Sequence, residues 1–549
     1  MAAILILSAW AIIGAALCGG GLLAGRVLGI RTEGSLSRSF WLGWACTLGV
    51  LCAVCLVHPV DGTIAVLFLA VGAAGFAIPG DERRQWWQRF RGEARWLVAL
   101  LPVAMWLADR ARLEPQNGDS YVYHLHAVAW AESYRATPGL GNLHDRLGFN
   151  NSSTLFLALL DHGPLADRAQ HFANGLLLLP LFGRGVRAVR RLAGDFRPAK
   201  QRATVRDGFD ALLLAPAVDW ALGMNLSSAS PDLPVACLEA AIASELAGGV
   251  EADGALAALV LMGAGLLTLK LSALGFVAGL ALSVAVLMRR RDRNDQLRRA
   301  GIASAVFLIA WLARGIVLSG YPLYPNPVGA LPVDWRVPLE RAREQYDYML
   351  GWGRRPDLPW REVLSSWDWL LPWARSLARY PRDVVVPLVS LAALVLVAIV
   401  MRGRRPGASR PLFVLFVPPL AALVFWFATS PDMRFAGACF WLLPASGAAY
   451  LVSRGVQGTA ALALPGAVLA LALWPFSTPY NHFGPLKAGF RDPSPPRTRP
   501  FVTHSGLTLA TPTSGSSCYG TALLCASRPD EAIRLRDPNN VAAGFSVEP

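Results

Sequence analysis

The chain has 549 residues, of which 54% are apolar and 16% are charged. A soluble chain of this length would form roughly three or four domains, but it could not bury so much apolar surface. The composition therefore indicates a membrane protein. The net charge of +14 does not indicate a nucleic-acid partner, because the arginines form short blocks between apolar stretches and no single basic face with stacking aromatic residues.

Several apolar stretches approach the roughly 20 residues that cross a hydrocarbon core. The first 25 residues lack a basic leader and a clear cleavage site, so we expect a retained first span. The other clear stretches are residues 38–58, 62–80, 301–318, 383–401 and 435–452.

Blocks of arginine separate these stretches, and such blocks are typical of cytoplasmic loops. Placing every block on the cytoplasmic side requires an even number of spans between successive blocks. This threading predicts about fourteen spans with both termini outside. The blocks are Arg26–Arg38, Arg83–Arg95, Arg184–Arg206, Arg289–Arg299 and Arg402–Arg410.

Residues 255–288 do not fit this count simply. As one helix they would be about 50 Å long, which exceeds one ordinary crossing. Two short helices that meet near Lys270 fit the pattern. One long tilted span, with residues 234–249 on the membrane surface, fits it equally.

The unusual polar segments all fall on the outer side in this threading, which indicates chemistry on that side. The sequence contains no phosphate-binding loop of the Walker or GxGxxG kind, so a cytosolic nucleotide is not an expected substrate. The outer segments are residues 109–150, which we call the first outer loop, 230–232, Lys270 if it lies at a turn, 319–380, which we call the second outer loop, and 431–435.

The first outer loop reads GDSYVYHLH and later PGLGNLHDRLGFN, and its aromatic spacing predicts an interfacial helix that starts at Asp119. Either Asp119 or Ser120 only caps this helix, or Asp119 acts as a catalytic carboxylate, and the spacing favours neither interpretation. Tyr123 and His124 are candidates for substrate binding. A structural, hydrogen-bonded role is more expected for His126 and His144 than for His124.

Two cations lie in or beside apolar stretches, Lys270 within one and Arg434 just before another. A lysine at a helix centre costs roughly 2.5 to 3.5 kcal/mol on insertion scales, so Lys270 should be paired, face a polar cavity, or extend to the interface. Arg434 either pairs locally with Asp432 or binds a phosphate, for which its planar fork is suited.

These motifs resemble the GT-C superfamily of membrane glycosyltransferases, which use polyprenyl-phosphate or polyprenyl-pyrophosphate sugars. The resemblance rests on Asp119 with the interfacial helix that follows it, and on the Arg434-Phe435 pair at a span entrance. A closer resemblance, over nearly the whole chain, is to an uncharacterised bacterial family of multi-span membrane proteins. It includes the motifs GDSYVYHLHAVAW, PGLGNLHDRLGFN, SSASPD, TLKLSAL, LSGYPLYP and SPDMRF.

The resemblance implies an all-α polytopic membrane protein, a GT-C-like helical bundle with outer-face interfacial helices. It implies that Asp119 is the catalytic base and that Arg434 and Lys270 hold the donor phosphate. Many relatives carry paired acids where this chain has Asp119 followed by Ser120, so dependence on a divalent metal ion stays open. Asp232 is the candidate for a second carboxylate beside Asp119.

The implied reaction moves a sugar from the lipid-linked donor to a glycan or lipid acceptor at the periplasmic face of a bacterial inner membrane. The rival interpretations are a transporter or flippase of lipid-linked saccharides, a ligase or polymerase of such saccharides, and a non-catalytic scaffold. The sequence shows no two similar halves, which disfavours a transporter.

Residues 1–475 are predicted to form the transmembrane domain. Tyr321 and Tyr324, in the proline-rich segment SGYPLYPNP, either line the sugar site or belong to a structural plug. Residues 476–549 are predicted to form a small, loop-rich periplasmic tail. A disulfide between Cys518 and Cys525 would close a loop in this tail in an oxidising compartment.

Overall fold

Among the residues that the structure describes, the fold is mostly helical, with four short strands near the C-terminus. The structure is a computed structural model, and it describes residues 1–30, 35–77, 87–88, 90–91, 98–194, 203–249, 254–288, 294–401, 412–456, 459–473 and 488–548.

The helices before residue 255 contribute most of the residues of the main hydrophobic core. Helices α1 to α6 are Ala2–Leu28, Leu36–Val57, Gly62–Gly75, Leu101–Ala111, Leu125–Ser133 and Leu140–Leu143. Helices α7 to α11 are Ser152–Leu160, Ala169–Leu192, Val205–Leu212, Leu214–Leu222 and Asp232–Gly248.

The remaining described helices are apolar elements that precede and follow three helices of the second outer loop. Helices α12 to α16 are Ala255–Leu269, Leu274–Met288, Asn294–Ser319, Leu339–Arg354 and Trp360–Ser365. Helices α17 to α21 are Leu370–Ser376, Val386–Val400, Val417–Ala428, Cys439–Ser453 and Thr459–Leu473. Strands β1 to β4 are Thr498–Val502, Thr508–Pro512, Ile533–Leu535 and Phe545–Val547, and they pair antiparallel as β1 with β2 and β3 with β4.

Within the described ranges, five helical segments are long and apolar enough to cross a membrane, and they indicate a membrane protein. The predicted count of about fourteen spans is not supported. Several apolar stretches form helices of 10 to 17 residues instead, as Gly62–Gly75 does in place of the predicted span 62–80. The five segments are Ala2–Leu28, Leu36–Val57, Leu271–Met288, Asp295–Ser319 and Pro381–Val400.

Helices α1 and α2 approach each other closely because glycines lie at their contact. A Cβ atom on Gly21 would lie 1.8 Å from the carbonyl oxygen of Ser39, and one on Gly43 would lie 1.9 Å from that of Leu17. Small residues of this kind let the backbones of membrane helices pack directly together.

The apolar region 255–288 forms two helices, so the alternative of one long tilted span is wrong. Lys270 has an extended backbone, with φ of −162° and ψ of 135°, and it separates α12 from a short 3-10 turn that leads into α13. The preceding segment, α11, is buried within the protein and does not lie on a surface. The break places the lysine side chain at a helix end, where it meets other polar groups.

The C-terminal tail packs against the first outer loop. Phe545 is fully buried beside Trp130, with ring centroids 5.8 Å apart, and its backbone N–H donates to the carbonyl of Pro138. Cys518 and Cys525 form a disulfide, and the backbone N–H of Cys518 donates to the carbonyl of Tyr121. The tail therefore supports the loop that begins near Asp119.

Helix α11 carries acidic residues at both ends, and each end meets a different set of cations. Asp232 is its first residue, and Glu245 lies about 20 Å further along at roughly 1.5 Å per residue. Glu245 accepts hydrogen bonds from Arg38, Arg184 and Arg206, which belong to predicted cytoplasmic blocks. The outer-loop motifs gather at the Asp232 end.

Candidate functional site

The first segment of the candidate site is the turn that follows Asp119. Residues Ser120–His124 form a π-helical turn before α5, a geometry that is frequent at functional sites. Neither Asp119 nor Ser120 makes a side-chain capping hydrogen bond to this turn, so the capping interpretation is wrong. The hydroxyl of Ser120 instead contacts that of Ser228 at 3.0 Å and accepts from the N–H of Ala229. These bonds join the first outer loop to the segment before Asp232.

The second and third segments of the site are the start of α11 and the break at Lys270, and together they contribute an ion pair. Asp232 begins α11, where its backbone N–H donates to the hydroxyl of Ser230. The ammonium of Lys270 donates to Oδ1 of Asp232 at 2.5 Å and lies 4.1 Å from the ring centroid of Phe435. Lys270 is thus paired and does not extend to the interface.

The fourth segment is the short 3-10 turn Met433–Phe435. Asp432 accepts a hydrogen bond from the backbone N–H of Arg434, so it shapes the turn and does not pair with the guanidinium. The guanidinium of Arg434 bridges two other carboxylates. Its Nε donates to Oδ2 of Asp232 at 3.1 Å, and its Nη2 donates to Oδ2 of Asp119 at 2.7 Å.

A fifth residue, Arg146, completes the network and was missed by the sequence analysis. Its Nη1 donates to Oδ1 of Asp119 at 2.8 Å, and its guanidinium lies 5.3 Å from the ring centroid of Tyr123. The available signal was a cation in the otherwise unusual motif PGLGNLHDRLGFN. We call Arg146, Asp119, Arg434, Asp232 and Lys270, in this order of contact, the ion-pair network.

The cations hold both carboxylates in their charged form. Burial would raise the pKa of Asp232, but the charges and hydrogen bonds of Lys270 and Arg434 outweigh it and lower that pKa to about 2. Burial also opposes ionisation of Asp119, yet Arg434 and Arg146 hold its pKa below the usual value. Movement of these cations to another anion would raise the pKa of Asp119.

Tyr123 and His124 lie beside the network. Their rings are 4.0 Å apart, and His124 is almost fully buried. Burial lowers the pKa of His124 to about 4, so its imidazole is neutral near pH 7. Its Nδ1 has no hydrogen-bond partner within the described residues.

His126 and His144 have the structural hydrogen bonds that the sequence analysis expected of them. Nε2 of His126 lies 2.8 Å from the carbonyl oxygen of Leu523. Nδ1 of His144 accepts from the backbone N–H of Arg146 at 3.1 Å. His144 thus fixes the backbone at a member of the network.

Tyr321 and Tyr324 lie in a neighbouring hydrophobic cluster with Val337. The hydroxyl of Tyr321 donates to the carbonyl of Val337 at 2.9 Å, which is a structural contact. Phe149 contacts both Tyr324 and Tyr123, with ring centroids 6.0 Å and 5.9 Å away, and so connects Tyr324 to the side of the network. A substrate contact of either tyrosine stays a prediction.

The carboxylates do not fit the divalent metal ion that the resemblance left open. Among the residues that the structure describes, no three His, Cys, Asp or Glu side chains cluster as metal ligands. The oxygens of Asp119 and Asp232 already accept hydrogen bonds from cationic side chains. Cations in these positions compete directly with a metal ion.

Comparison with known families identifies the region that contains this network. A family model described as a domain of unknown function (DUF8201) matches residues 3–441. The chain belongs to the DUF8201 family. The DUF8201 match contains all five residues of the ion-pair network and ends before the C-terminal tail. The comparisons with curated proteins and with solved structures returned no match.

Proposed function

We propose that this protein transfers a sugar from a polyprenyl-phosphate or polyprenyl-pyrophosphate donor to a glycan or lipid acceptor of the cell envelope. The reaction would take place at the Asp232 end of α11, which we assign to the periplasmic face of a bacterial inner membrane in a GT-C-like helical bundle. The observation that carries the proposal is the contact of Asp119 with Arg434, which in turn shares Asp232 with Lys270.

Sugar transfer needs a base beside the acceptor and positive charge beside the departing phosphate. In this proposal, Asp119 takes the proton from the acceptor hydroxyl. The oxygen of that hydroxyl forms a bond to the anomeric carbon of the donor sugar. The bond from that carbon to the phosphate oxygen breaks, and the lipid phosphate leaves with the electron pair. Arg434 and Lys270 donate hydrogen bonds to this leaving group.

The ion-pair network offers a way to couple donor binding to activation of the base. A donor phosphate competes with Asp119 and Asp232 for the hydrogen bonds of Arg434 and Lys270. When Arg434 turns to the phosphate, Asp119 loses the partner that most lowers its pKa and becomes a stronger base. Asp119 therefore acts when the donor is bound.

The proposal is tested by surface-glycan profiles of a deletion strain that carries the wild-type or a variant gene. We expect loss of one glycan species in the deletion, rescue by wild type, and no rescue by Asp119→Asn. The matched control is Asp357→Asn, because Asp357 is an exposed carboxylate of the second outer loop that pairs with nearby Arg355. Full rescue by Asp119→Asn at equal protein level would contradict the proposal and favour a scaffold.

A further inference from the structure

Glu239 is a buried carboxyl group that the proposed sugar transfer does not use. It lies in α11, seven residues after Asp232, which is about 10 Å further along the helix at roughly 1.5 Å per residue. A spacing of seven residues places both side chains on the same face of the helix. Glu239 is only 3% exposed, so its carboxyl group needs a hydrogen-bond partner inside the protein.

That partner is the backbone at the start of α20. Oε2 of Glu239 accepts a hydrogen bond from the N–H of Ala438 at 2.8 Å, and the thiol of Cys439 lies 3.8 Å from the same oxygen. The first N–H groups of a helix have no acceptor within that helix, and Ala438 provides no side-chain cap. Glu239 therefore supplies, from another helix, an acceptor that the start of α20 lacks.

Gly437 shows how closely this backbone lies against the carboxyl group. A Cβ atom on Gly437 would lie 2.1 Å from Oε2 of Glu239, which is far inside contact distance. The residue also has a φ of 57°, in the left-handed region that glycine adopts without strain. The backbone before α20 is thus fitted directly to Glu239.

Helix α11 holds both ends of residues 434–438 through these contacts. Asp232 accepts from the side chain of Arg434, and Glu239 accepts from the backbone of Ala438, four residues later. Between these two points lies Phe435, whose ring centroid is 4.1 Å from the ammonium of Lys270.

We propose that Glu239 is a positioning residue for the phosphate-binding cations. It fixes the backbone of residues 434–438, so that the guanidinium of Arg434 exchanges Asp119 for a donor phosphate without displacement of the turn that carries it. The contact itself is a property of the fold, whereas its effect on phosphate binding rests on the proposed function.

The affinity of the purified, full-length protein for farnesyl phosphate tests this role. Glu239→Leu should weaken binding about tenfold, because leucine cannot accept from Ala438 and leaves that N–H unsatisfied. Glu239→Gln should bind within about twofold of wild type, since glutamine keeps a carbonyl oxygen at the same reach. The control is Glu531→Leu, because the Glu531 side chain is 65% exposed in the tail. Unchanged affinity in Glu239→Leu, or equal losses in Glu239→Leu and Glu239→Gln, would overturn the positioning role.

A double-mutant cycle separates positioning from a general loss of structure. If Glu239 acts through Arg434, Glu239→Leu should weaken binding about tenfold in the wild-type background but about twofold or less in the Arg434→Gln background. A tenfold loss in both backgrounds would show that Glu239 does not act through Arg434 and would overturn the proposal.

Hydrogen exchange without ligand distinguishes failure of this inference from failure of the proposed function. Amides of residues 434–439 should exchange about tenfold faster in Glu239→Leu than in wild type or Glu239→Gln. If exchange follows this order and the wild type does not bind farnesyl phosphate, the phosphate site is wrong but Glu239 still fixes the turn. Unchanged exchange in Glu239→Leu would overturn the role of Glu239 whatever the affinity for phosphate.

Discussion

Arg434 and Asp119 are separated by 315 residues in the sequence, yet Nη2 of Arg434 lies 2.7 Å from Oδ2 of Asp119. The same guanidinium donates from Nε to Asp232, so one side chain joins the first outer loop to the start of α11. This bridge depends on the fixed angle between two donors. A lysine carries its donors on one nitrogen at the end of a flexible stem, so it does not reproduce the fixed angle between these two bonds.

The first prediction concerns this bridge. Arg434→Lys should lower the activity about tenfold or more, because the lysine ammonium keeps the charge but loses the two-pronged geometry. The change in unfolding free energy should stay within about 1 kcal/mol, because the Arg434 side chain is 34% exposed and its ion pairs are partly screened by solvent. Glycan profiling and thermal unfolding measure the two effects. Wild-type activity in Arg434→Lys would show that charge alone suffices.

The second prediction concerns pH. Burial lowers the pKa of His124 from 6.5 to about 4, so the unfolded chain binds more protons than the folded chain between these values. Stability should therefore fall as the pH is lowered from about 6.5 to about 4, by on the order of 3 kcal/mol from His124. His126 and His144, whose pKa values burial also lowers to about 4, add to the slope.

Unfolding midpoints across this pH range test the assignment to His124. His124→Asn should show a shallower dependence on pH than wild type. His504→Asn serves as the control, because His504 is 64% exposed. A slope in His124→Asn as steep as that of wild type would contradict the prediction.

The third prediction concerns the tail. Phe545→Ala should lower the unfolding free energy by about 3 to 5 kcal/mol, because the ring is fully buried against Trp130. It should also reduce activity, since the tail supports the loop that carries Asp119. Val502→Ala, at an exposed strand position, should change neither quantity. Full activity in Phe545→Ala would show that the site does not depend on packing of the tail.

The sequence could predict the importance of single charged residues whose burial in an apolar stretch costs free energy. A lysine in an apolar run requires a partner, and Lys270 breaks the helix and pairs with Asp232. Arg434 was likewise noted as a cation at a span entrance. The partner that Arg434 selects was not predictable, because Asp432 is nearer in sequence but accepts only the backbone N–H.

Features that depend on packing were missed. The predicted span count is not supported, because apolar segments such as Gly62–Gly75 are strongly hydrophobic but form helices of only 10 to 17 residues. Hydropathy measures the composition of a helix. It does not show whether the apolar side chains of that helix face lipid or other parts of the protein. The contact of Phe545 with Trp130 joins residues over 400 positions apart, and no local pattern marks it.

The most direct test of the account is the affinity of the purified protein for a short isoprenyl phosphate, such as farnesyl phosphate. If Arg434 and Lys270 hold the donor phosphate, Arg434→Gln and Lys270→Gln should each weaken binding about tenfold or more. Arg382→Gln is the control, because Arg382 pairs with Asp219 outside the network. Unchanged affinity in both network variants would contradict the central claim that these cations form a phosphate site.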